Sequence, residues 1–136
     1  MLINLAVLFR FTFFPLHLNN GRITPMEFGP DAVSASRIRL IPFKYIPTYS
    51  TKKELLTNVL GNIGMFIPTG ILLPILYPKL DRLWKVAAVC AGMTLCIELL
   101  QLFIVGRTTD IDDLILNTVG GIIGYGIYTM ISKLRA

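Results

Sequence analysis

Apolar residues in this chain gather into long runs. Three of them, Glu54 to Leu76, Trp84 to Val105 and Ile111 to Ile131, are nearly unbroken, and each matches the roughly 20 residues that cross a hydrocarbon core about 30 Å thick. A fourth run, Leu2 to Leu18, is interrupted by Arg10 and Pro15 and starts at Met1 without a polar or basic lead-in. It has neither the basic leader nor the small-residue cleavage site of a secretory signal. It is therefore expected to be an uncleaved span, short of its first turn or two. The pattern predicts an all-α fold: a polytopic transmembrane helical bundle of about four spans, forming a single domain over 1–136.

The polar segments between the runs differ in kind. The connection 19–53 carries Pro25, Pro30, Pro42 and Pro47, too many for a long helix. Its stretch RIRLIPFKYIP, 37–47, mixes aliphatic, aromatic and cationic residues, as suits a segment lying partly at the lipid interface, although a plain exposed loop fits as well. The connection YPKLDRLWK, 77–85, is short, with Tyr77 and Trp84 placed like an aromatic belt and Lys79, Arg82 and Lys85 like a cytoplasmic turn. Lys52 and Lys53, on the other side if the spans alternate, argue against that orientation.

Composition agrees with the runs. Of 136 residues, 54% are hydrophobic and 15% charged, where soluble domains carry about a quarter charged. The net charge of +5 would suggest nucleic acid in a soluble protein. Here the cations flank spans, where they set orientation or meet anionic head groups, so no nucleic-acid partner is expected and membrane lipids are. Cys90 and Cys96 lie about 9 Å apart along one expected helix and cannot pair within it.

ELLTNVLGNIGMF, from Glu54, echoes DLILNTVGGIIGY, from Asp113. Leu55, Asn58, Gly61 and Ile63 match Leu114, Asn117, Gly120 and Ile122, with acid against acid at the start and aromatic against aromatic at the end. As the second and fourth spans, the two would run in the same direction, which raises a parallel two-helix repeat as an expectation.

Chemistry concentrates at one end of the last two spans. At about 100° per residue, Asp110, Asp113, Asn117, Gly120, Gly121, Gly124 and Tyr128 share one arc, and Asp112 points nearly opposite. Gly120 and Gly124, with Gly121 and the echoing Gly61, are expected at close helix packing. Thr109 and Asp112 resemble a capping box. Asp113 and Asn117 continue inward without such an explanation. Glu98 and Gln101 share a face of the preceding span, and an ionisable group within a span costs a few kcal/mol, so it should face partners. The expected cluster is Glu98, Gln101, Arg107, Asp110, Asp113 and Asn117, joined by Asn58 and Asn62. A polar network that only holds helices together would use the same residues. The acids of DIDD diverge around a helix, so no metal site is expected, and no cofactor motif appears. His17, beside asparagines at the end of the first run, reads as interfacial.

NVLGNIGMFIPTGILLPIL, IELLQ and RTTDIDDLILNTVGGIIGY, in that order and spacing, resemble the signature blocks of the VanZ-like family, with TFFP and IPF as weaker features. The resemblance implies a small multi-pass protein of the bacterial cytoplasmic (inner) membrane, in a family whose founding member is associated with low-level teicoplanin resistance. It marks Asn58, Asn62, Pro68, Gly70, Glu98, Gln101, Arg107, Asp110, Asp113, Asn117 and Gly120 as signature positions, and implies no agreed chemistry. The short first span departs from the pattern.

Three functions remain open. The first is binding of an envelope lipid or a lipoglycopeptide antibiotic in an outward-facing polar pocket, without catalysis. The second is an enzyme using the carboxylates on a lipid-linked cell-wall precursor. The third is a structural assembly subunit. Oligomeric state is not legible.

Overall fold

The computed structural model describes residues 4, 6, 8, 18–19, 22–23, 37–44, 51–104 and 108–135. Three helices dominate: α1 (Lys52–Leu76), α2 (Leu83–Gln101) and α3 (Ile111–Arg135). All three are long and apolar enough to cross a membrane. Leu60, Leu99, Ile123 and Met130 are among the large apolar side chains they leave exposed, a display that suits lipid rather than water. This is a membrane protein. Of the expected first span, 2–18, Asn4, Ala6 and Leu8 are described as helical, and Leu18, its last residue, lies in a short strand. Asn4 Oδ1 accepts a hydrogen bond from Thr69 Oγ1 of α1 at 2.8 Å. Arg10, Pro15 and His17 lie outside the described residues.

Local chemistry sets the helix ends. Thr51 caps α1, its hydroxyl accepting the Glu54 N–H at 3.1 Å. A short 3₁₀ turn, Pro78–Leu80, then leads to α2. α2 stops at Gln101 rather than running to Val105. The Glu98 carbonyl, which a continuing helix would pair four residues on, instead accepts the Thr109 hydroxyl at 3.0 Å. The expected Thr109–Asp112 capping box is therefore not what starts α3. Asp110 takes that role, its Oδ1 accepting the Asp112 N–H at 3.0 Å.

Short strands, which the hydrophobic pattern did not predict, join the connections. β1 (Leu18–Asn19) pairs antiparallel with β2 (Arg22–Ile23), and β3 (Ile38–Arg39) pairs parallel with β4 (Thr109–Asp110), setting Arg39 opposite Asp110. Two-residue ladders carry no readable period.

Glycines decide how closely the helices approach. A Cβ on Gly120 would overlap the carbonyl oxygen of Ile63, and one on Gly124 that of Ile67. The matched spacing shows that α1 and α3 run in the same direction with their backbones in contact, the use of G-x-x-x-G spacing in membranes. Gly70 closes against the backbone of Gly121, and Gly121 itself faces Cys90 Sγ of α2. The Gly120–Gly121 pair thus lets α3 meet α1 with both residues and α2 with the second. Gly61, expected with them, has open space where its Cβ would be, because Ile63 stands opposite Gly120. The core of Phe66, Leu73, Val86 and Cys90 lies beside this contact.

Candidate functional site

Because α2 runs against α1 and α3, the start of α1, the end of α2 and the start of α3 meet at one end of the bundle. Glu98, on the last turn of α2, is only 3% exposed. A buried carboxylate survives by collecting donors, and Glu98 Oε2 accepts the Asp110 N–H at 2.9 Å. With the Thr109 bond, Glu98 thus holds the strand before α3 through both its side chain and its backbone.

Asp110 is the junction. Its Oδ1 caps α3 and its Oδ2 lies 3.6 Å from Arg39 Nη1. Arg39 is about a third exposed, so this ion pair contributes at most about 1 kcal/mol; the β3–β4 ladder beside it does more to fix the geometry. One turn into α3, Asp113 Oδ1 accepts the Asn62 Nδ2–H at 2.6 Å, tying α3 to α1. Asp112 faces away from this line, as its position in the helix requires, and accepts the Phe43 N–H at 2.8 Å.

The column continues downward. The contact of Gly121 with Cys90 sets Asp113 near the level of Glu98, and Asn117 near that of Thr94. Asn117 is 4% exposed, and among the described residues its Oδ1 has no hydrogen-bond partner. Thr94 gives its hydroxyl to the Cys90 carbonyl at 3.0 Å. A buried amide oxygen without a donor costs about 1–3 kcal/mol, which makes Asn117 the anomaly of the site.

Of the residues expected from sequence, the structure bonds Asn62 to Asp113 and Glu98 to Asp110, buries Gln101 and Asn117, and leaves Asn58 half-buried one turn nearer the Lys52 end. Arg107 lies outside the described residues. Sequence reasoning missed Arg39 and Phe43. Both sit in the RIRLIPFKYIP segment, but no spacing tied that segment to residues 109–112. Among the described residues, no three His, Cys, Asp or Glu side chains converge as a metal ion would require.

At the opposite end, Asp81 receives the Tyr125 hydroxyl at 3.0 Å and the Tyr128 hydroxyl at 3.4 Å. This clasp holds the 77–85 turn to α3.

Residues 1–132 match the family described as VanZ/LLP1. Protein VanZ of Enterococcus faecium is 36% identical over 76 residues, which make up 56% of this chain and 47% of that protein. The match thus spans about half the length of that relative. No solved structure matches the chain.

Proposed function

Since the chain belongs to the VanZ/LLP1 family, we propose that it is a multi-pass protein of the bacterial cytoplasmic membrane that binds an amphiphile of the cell envelope. The ligand would be an envelope lipid or a lipoglycopeptide such as teicoplanin, held at the Glu98–Asp113–Asn117 column on the outer side. Its role would be glycopeptide resistance or envelope homeostasis. The observation that carries this reading is the Asn117 carbonyl oxygen, buried and, among the described residues, without a donor at the foot of a column of carboxylates and amides. A ligand hydroxyl, amide or ammonium would supply the missing hydrogen bond.

Binding is favoured over catalysis by how the carboxylates are used. Glu98 holds an amide, Asp110 caps a helix and meets Arg39, and Asp113 holds Asn62. Groups so engaged orient a ligand better than they attack it.

The test is binding of teicoplanin and of extracted envelope lipids to the purified protein, wild type against Glu98→Ala. The expected result is a ligand retained by wild type and lost on substitution, with a parallel loss of teicoplanin protection in Asp113→Asn cells at equal protein level. Equal retention and full protection in both variants would sink the reading.

A further inference from the structure

The segment 37–44 presents a surface that the polar column does not use. Leu40, Ile41 and Phe43 are 69%, 55% and 54% exposed, at a tip whose backbone is bonded to the protein at both ends. On one side, β3 is laddered to β4 and Arg39 meets Asp110. On the other, the Phe43 N–H is held by Asp112. Between them Ile41–Lys44 makes a turn closed by Lys44 N–H to the Ile41 carbonyl at 3.4 Å. Pro42 occupies its second position and Phe43, at φ 60°, its third. That third position ordinarily calls for glycine. A bulky aromatic kept there is costly and projects its ring outward.

The location identifies the occupant. β4 leads directly into α3, and α1 begins and α2 ends at the same end of the bundle. The tip therefore stands at the level where the lipid-facing bands of three membrane-crossing helices give way to the polar layer. Leu56 and Leu60 are likewise exposed on the first turns of α1, at this end of the bundle. Apolar side chains flanked by Arg37, Arg39 and Lys44 match the chemistry of the head-group and acyl boundary of an anionic leaflet.

We infer that residues 37–44 form a membrane-docking lip: Leu40, Ile41 and Phe43 enter the interfacial layer of the leaflet while their backbone is fastened to Asp110 and Asp112. The lip sets the mouth of the polar column against lipid, so that amphiphiles reach it from within the leaflet. Docking stands independently of whether the column binds a ligand, since its test reads depth in the bilayer alone.

The experiment places a single tryptophan at the tip of the full chain. Phe43→Trp is made in a Trp84→Phe background, with Ile41→Trp as a second reporter that leaves the turn residue intact. The protein is reconstituted in vesicles of phosphatidylglycerol and phosphatidylcholine brominated either near the carbonyl or near the chain end. The expected result is blue-shifted emission, roughly halved by the shallow bromines and less affected by the deep ones. Quenching by aqueous iodide but not by bromolipid would overturn the proposal. So would strongest quenching by the deep bromines. Shielding from both quenchers would place a second copy of the chain on the tip and would overturn it too. Phe43→Gly, which relieves the positive φ, should preserve the fold while weakening bromolipid quenching of the Ile41→Trp reporter; unchanged quenching would remove Phe43 from the lip.

Discussion

The segments that begin at Glu54 in α1 and at Asp113 in α3 carry an acid, an asparagine and a glycine at matched positions, yet they meet opposite surroundings. Asp113 bonds Asn62 within the site, whereas Glu54 is exposed on the first turn of α1. Asn117 is buried and Asn58 half-buried. Gly120 touches the Ile63 backbone and Gly61 faces open space. What the pairs share is intrinsic propensity and lettering. What they do is set by where each helix sits: α3 packs on both α1 and α2 and so meets neighbours on two sides, while Gly61 lies on a part of α1 that no glycine-dependent contact reaches.

The glycines should break the symmetry most sharply. Gly120→Ala drives a methyl into a main-chain carbonyl that cannot turn aside, and should cost about 3 kcal/mol, at the upper end for overpacking. Gly61→Ala meets nothing and replaces the less favourable residue in a helix, so it should stabilise by up to about 1 kcal/mol. Thermal melting of the two variants in the same detergent checks both signs. Similar losses for both would mean that the α1–α3 contact lies elsewhere.

The acids come next. Asp113→Ala strands the Asn62 amide in a half-buried position, for a loss of about 1–3 kcal/mol. Glu54→Ala should cost only about 0.3 kcal/mol, the worth of an exposed acid in a first helical turn. A cycle with Asn62→Ala sharpens the point: Asp113 should couple to Asn62 by about 1 kcal/mol and Glu54 should not. Coupling to both would mean that the helix face, rather than the specific hydrogen bond, carries the energy.

How far this was legible depended on range. The three long helices follow from apolar run length alone, and the facing of Asp113, Asn117 and Gly120 from a 100° step. Glu98 was placed by the cost of a charge in lipid, which forces such a residue inward, and Gln101 by sharing its helix face. Three features could not be read. Gly61 and Gly120 look alike until the neighbouring helix is known, because close approach belongs to a pair of helices. The cap of α3 passes from Thr109 to Asp110 because the Thr109 hydroxyl is drawn to the Glu98 carbonyl across the interhelical turn. Arg39 reaches Asp110 through a two-residue parallel ladder spanning some half of the chain, a contact with no local signature.

The smallest expected effect separates scaffold from site. Asn117→Leu keeps the branched shape of the side chain in a somewhat larger volume and removes a buried acceptor that lacks a donor among the described residues, so the protein should become more stable by about 1 kcal/mol, whereas Asn58→Leu, at a half-buried position, should change little. A residue that lowers stability where it stands is one retained for something other than folding. If Asn117 serves a ligand, its leucine variant should melt higher than wild type and yet bind less. If Asn117 only holds helices together, the variant should melt lower and lose function no faster than stability. Melting temperature and ligand retention measured on the same sample distinguish these cases, because the two readings predict opposite signs for the first quantity.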